Sequence, residues 1–182
     1  MEQALVFASI ILGVAVALEL TNLHHLLRSN NVRWHWAQPI FAFLVLLILM
    51  FFWWSLARNT EGQMSFGSFL PIMWSLVMLV LLSAVALPDR LDEEVDLADY
   101  YQENRRYMWG LLVLAALPLE GQWLWSVAMR TSSVGEFAMT ALGDLIAWAT
   151  IFAMMFIKRW WLVAVGFAVL SLGPVAWLSR TI

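Results

Sequence analysis

No cysteine occurs among the 182 residues, which excludes disulfides, thiolate metal sites, iron–sulfur clusters and cysteine nucleophiles together. Charge is nearly as scarce. Only 13% of the residues are charged, against about 25% in a soluble domain. The ten Lys and Arg residues form no basic stripe that could meet phosphates, so nucleic acid is not expected as a partner. Histidine is confined to His24, His25 and His35, leaving little for acid–base chemistry elsewhere. His-Glu-x-x-His, Gly-x-Ser-x-Gly and phosphate-binding glycine-loop signatures are all missing. The expectation is therefore no enzyme activity, no metal and no cofactor. The start, Met1-Glu2-Gln3-Ala4, lacks the positive region of a signal peptide, and the first apolar stretch reads as a retained span. The alternation of barrel strands and a convincing internal repeat are absent too.

What fills the chain is apolar. Hydrophobic residues make up 63% of it, twelve are Trp and eleven are Phe, and the mean hydropathy is +0.78. A soluble domain of this length could not hide so much apolar surface, so lipid must be the solvent. Stretches near 4–25, 37–57, 66–87, 106–127, 136–157 and 160–179 each approach the roughly 20 residues a helical span needs. Backbone groups in lipid must be satisfied within their own segment, so these stretches must be helices. The predicted fold is all-α: a single transmembrane domain over 1–182, built as a polytopic bundle of six spans. Its thinness favours a homo-oligomer in the bilayer.

Basic residues orient the spans. Arg28, Arg33, Arg90, Arg105, Arg106, Lys158 and Arg159 fall in the odd connectors, whereas the other side holds Arg58, Arg130 and Arg180. This bias puts the odd connectors in the cytoplasm and both termini outside. Between spans three and four lies the acidic segment 88–105, where Leu91, Val95 and Ala98 recur at helical spacing. It predicts a short amphipathic helix, with 89–104 as a possible docking surface for a cytoplasmic protein.

Ionisable residues inside spans face a protein interior or water. Glu136, Thr140 and Asp144 share one helical face that Trp148 continues. By helical rise, Asp144 lies about 12 Å below the outer boundary. Glu120 and Gln122 reach a similar level in span four. There Pro118 frees the carbonyl of Leu114. Span six contributes Ser171, and Pro174 frees the carbonyl of Leu170. Glu120, Gln122, Glu136, Thr140, Asp144 and Ser171 thus form a candidate polar cavity for a proton or small cation. A second cluster on the inner side holds Glu19, Asn22, His25 and Arg105. There Glu19 is expected to pair with Arg105 or Arg106, or with Arg28 or Arg33. The Trp pairs at 34/36, 53/54, 123/125 and 160/161 read as an interfacial belt.

Leu87-Pro88-Asp89, the run Asp96–Arg106, Trp34-His35-Trp36 and Phe52-Trp53-Trp54 resemble segments of uncharacterised bacterial integral membrane proteins. The resemblance implies a bacterial inner-membrane location and no activity. The functional expectation is a channel or transporter for protons or small cations. Its rivals are an accessory scaffold using the acidic helix and a sensor of lipid or hydrophobic ligands.

Overall fold

The computed structural model describes residues 2–58, 66–89 and 94–180. Among them six helices and two short strands follow one another. They are α1 (Glu2–Arg28), β1 (Val32–Arg33), α2 (Ala37–Arg58), α3 (Phe66–Val85), β2 (Val95–Asp96), α4 (Leu97–Arg130), α5 (Val134–Met154) and α6 (Trp160–Arg180). The protein is all-α. Four segments, Leu5–Arg28, Ala37–Ala57, Leu97–Arg130 and Val134–Met154, are long and apolar enough to cross a membrane. Phe69–Val85 and Trp160–Leu172 are shorter apolar helices.

The acidic segment differs from its predicted form. Instead of a separate amphipathic helix over 88–105, Val95 and Asp96 pair in parallel with Val32 and Arg33, and one helix of 34 residues starts at Leu97. Arg90 and Leu91, part of the predicted pattern, lie outside the described residues. Asp96 decides where the helix begins. Its Oδ1 accepts from the backbone N–H groups of Ala98 at 2.8 Å and Asp99 at 3.4 Å, which satisfies two donors that a helix start leaves open. Its Oδ2 lies 3.6 Å from the Arg33 guanidinium. At 1.5 Å per residue α4 is about 51 Å long, well beyond a hydrocarbon core of about 30 Å. Its first turns therefore extend past the apolar slab.

Consecutive helices alternate in direction, so the α1–α2, α3–α4 and α5–α6 connectors meet at one end of the molecule. The strand pair ties the first two together. Gln102 ties in the third by donating to the Lys158 carbonyl at 3.1 Å. Arg28, Arg33, Arg105, Arg106, Lys158 and Arg159 accordingly gather at this connector end.

Core packing centres on α1, α2, α3 and the first half of α4. Leu76, Leu79 and Leu82 of α3 are fully buried together with Ala15, Leu26, Phe41, Val45, Met108 and Trp109. Against this core α6 is held by aromatic edges. Trp109 meets Phe41 at 5.1 Å and Phe167 at 5.8 Å between ring centroids. The Trp109 indole also donates to the Tyr101 hydroxyl at 3.0 Å, and Tyr101 packs on Trp160 at 5.9 Å. Trp36 and Trp160 of the predicted belt join this cluster. Trp34, Trp53, Trp54, Trp123, Trp125 and Trp161 stay exposed, as rings facing lipid or headgroups would be.

The end of α3 collects donors from three other helices. The Asn22 amide reaches the carbonyls of Ala84 and Leu87 at 3.5 Å each. Gln38 donates to the carbonyl of Ala86, and the Tyr100 hydroxyl donates to that of Val85 at 3.0 Å. Terminal helix carbonyls have no partner of their own helix. Side chains of α1, α2 and α4 supply the missing donors.

Candidate functional site

Glu120 sits two residues after Pro118 in α4, and α5 brings Asp144 within electrostatic reach of it. The indole of Trp148, one turn beyond Asp144, lies beside the same carboxyl. Asp144 and Trp148 are four apart, so α5 presents both on one face. Glu120 and Asp144 are partly buried, and Oε1 of Glu120 is buried with no hydrogen-bond partner. The one ion pair among the described residues is Arg33–Asp96, so no described Lys, Arg or His is paired with either carboxylate. Two carboxylates within electrostatic reach of each other, neither held by a basic partner among the described residues, are a natural place for a cation.

The proline upstream behaves as its chemistry demands. With no N–H at position 118, the Leu114 carbonyl loses its helical donor. Trp74 of α3 donates its indole N–H there at 2.8 Å. The carbonyl that the proline frees in α4 is thereby tied to the neighbouring helix.

Other residues predicted for this site have different partners. Glu136 serves the start of α5, where its Oε2 accepts from the Ser132 N–H at 2.9 Å and its own N–H donates to Ser133 Oγ at 3.2 Å. This is a variant of the capping box, and its signature, Ser133-Val134-Gly135-Glu136, was present in the sequence. Thr140 donates to the Glu136 carbonyl at 2.9 Å and Ser171 to the Phe167 carbonyl at 2.8 Å, so both hydroxyls bond back into their own helices. Gln122 is exposed. Backbone helix continues through Pro174, whose side chain lies outside the described residues. The close grouping is thus Glu120, Asp144 and Trp148.

The inner cluster also separates. Glu19 is 1% exposed and forms no ion pair with a described residue, against the expected pairing with an arginine. Its neighbour is Ser83 of α3, which sequence reading missed because a serine in an apolar helix carries no signal of what it faces. Arg105 turns back on its own helix and donates to the carbonyl and side-chain oxygen of Gln102. Arg33 meets Asp96. His24 and His25 are exposed, with ring centroids 5.9 Å apart. His35 stacks on Trp160 at 4.0 Å and accepts from the Ala37 N–H at 3.4 Å. No group of three His, Asp or Glu side chains able to hold a metal ion occurs among the described residues.

An all-α architecture with four helices long and apolar enough to span a bilayer places the chain in the class of helical membrane proteins. No protein family, curated protein or solved structure matches it.

Proposed function

We propose that the protein moves protons or small monovalent cations across a bacterial inner membrane, with Glu120 and Asp144 as the paired acceptor. The observation that carries this reading is the meeting of two carboxylates from adjacent helices, one with a buried unpartnered oxygen and neither ion-paired with a described residue. Intramembrane acids of this kind line ion and proton pathways. Six spans with both termini outside, the orientation drawn from the basic residues, would put the pair in the outer half. Much of α5 is open, with Met139, Leu142, Leu145 and Ile146 all exposed. A second copy packed there would enclose the acidic pair in a protein-lined path.

The test is flux in sealed vesicles carrying the purified protein, read with a pH-sensitive dye inside and a potential clamped by valinomycin. Wild-type vesicles should dissipate an imposed proton, sodium or lithium gradient. Asp144→Asn and Glu120→Gln should each abolish that leak while the protein inserts and melts as before. Tight vesicles under every gradient, or unchanged flux in both variants, would sink the proposal.

A further inference from the structure

Where the start of α4 meets the chain entering α6, a hollow of about 460 Å³ opens at the surface, within the size range of pockets that hold small molecules. Its lining comes from Asp99, Gln102, Glu103 and Arg105 of α4 and from Lys158 and Trp160. The Gln102 amide donates to the Lys158 carbonyl at 3.1 Å and holds the two segments together. The first turns of α4 extend past the hydrocarbon slab, and the headgroup layers bring a whole bilayer to about 40–45 Å. The hollow therefore lies at headgroup depth. Trp160 in its wall and the exposed Trp161 beside it are residues that favour that boundary.

Four charges of two signs line the hollow. Arg33–Asp96 is the sole ion pair among the described residues, so these four do not pair with one another. Asp99 and Glu103 are four apart on one face of α4, where like charges oppose each other. Lys158 stands just ahead of α6, whose first turn holds no acidic residue, although a helix start favours negative charge. The N–H groups of Trp160 and Trp161 have no acceptor there among the described residues. Arg105 is only 7% exposed. It donates to the carbonyl and side-chain oxygen of Gln102, and its Nε is buried without a partner. A buried carboxyl can take up a proton, but a guanidinium stays charged. Arg105 therefore calls for an anion. An anion alone would be opposed by Asp99 and Glu103, and a cation alone by Arg105 and Lys158. A zwitterion answers both.

We propose that this hollow holds the headgroup of a phospholipid carrying a phosphate and a primary ammonium, as in phosphatidylethanolamine. The phosphate lies toward Arg105, Lys158 and the open N–H groups of α6, and the ammonium toward Asp99 and Glu103. A trimethylated ammonium has no N–H to give the carboxylates, and a glycerol headgroup has no cation for them. Basic pockets at the ends of membrane helices recognise headgroups in this way. The site goes beyond the flux reading and does not rest on it.

The experiment is native mass spectrometry of the full-length protein in detergent, titrated separately with phosphatidylethanolamine, phosphatidylcholine and phosphatidylglycerol of identical acyl chains. Wild type should take up one phosphatidylethanolamine at a severalfold lower concentration than either of the others. The double variant Asp99→Asn/Glu103→Gln should lose the preference over phosphatidylglycerol. Lys158→Gln should weaken both of those lipids alike. All three positions are exposed, so the variants should fold as wild type does. Equal uptake of the three lipids by wild type would overturn the proposal, as would a preference that survives in the double variant. Tighter binding of phosphatidylglycerol would make the hollow a simple anion site and overturn it too. Saturation by water-soluble glycerophosphoethanolamine at the same concentration as by lipid would assign the hollow to a water-borne zwitterion, and the lipid reading would fall. The measurement reads no flux, so failure here leaves the acidic pair standing, and tight vesicles leave this site standing.

Discussion

Trp74 and Leu114 are joined by a hydrogen bond of 2.8 Å from indole N–H to backbone carbonyl, and the carbonyl is the one Pro118 deprives of its helical donor. Replacing Trp74 with Phe keeps an aromatic ring and removes only the donor. In a membrane helix the loss should be about 0.5–2 kcal/mol. Pro118→Ala restores an N–H that can close the helical bond to Leu114. In that background Trp74→Phe should cost measurably less. Unfolding of the four proteins in mixed micelles completes the cycle, and strictly additive costs would show that the indole does not stand in for the missing donor.

Asp96 holds two partners on two different oxygens, and substitutions can separate them. Asp96→Ala removes the cap of α4 and should cost about 0.5–2 kcal/mol. Asp96→Asn keeps a capping oxygen and should remain near wild type, since the two residues cap about equally well. Arg33→Ala should also change little. The Arg33 side chain is 71% exposed, and ion pairs in that setting contribute about 0–1 kcal/mol. A cost for Arg33→Ala equal to that of Asp96→Ala would show the ion pair, rather than the cap, to be the stabilising contact.

Gly166 of α6 lies in close contact with Met154 of α5. A Cβ added there would overlap the sulfur of Met154 and come within 3.2 Å of its Cγ and Cε, and Met154 is fully buried. Gly166→Ala should destabilise by about 1–3 kcal/mol through overpacking. Met154→Ala should recover part of that loss by making room. Gly143→Ala in α5 is the control, because nothing lies within 4 Å of its added Cβ. It should be neutral or mildly stabilising, by up to about 1 kcal/mol. Equal melting shifts for the two glycines would contradict close packing at Gly166.

Much of the architecture was readable from local sequence, because long apolar runs have few options in lipid. That Glu120 and Asp144 lie at similar depth was an expectation from residue rise alone. Pro118 announced a freed carbonyl, but nothing local pointed to Trp74 as its new partner. Tertiary contacts between lipid-immersed helices leave little trace in the pattern. A helix apolar on all sides does not distinguish the face that meets protein from the face that meets lipid. Ser83 beneath Glu19 and Trp109 in the aromatic cluster were hidden for that reason. The acidic segment misled for a different one. Leu91, Val95 and Ala98 keep helical spacing, yet Val95 and Asp96 are taken by pairing with the first connector, so the helix waits until Leu97. At Glu136 the local signal was present, and its capping role outweighed the face it shares with Asp144.

The close of α3 has a bearing on how the chain is made. Its terminal carbonyls are completed by Asn22, Gln38 and Tyr100, two of which precede α3 in the chain and one of which follows it. The first three helices between them hold the donors that Ala84, Ala86 and Leu87 need. The carbonyl of Val85 waits for Tyr100. Tyr100 arrives in the first turn of α4, just ahead of the apolar run that must enter the bilayer. Closure of the α3 end at Val85 therefore needs the start of α4, whereas its other carbonyls are served by helices that precede it in the chain.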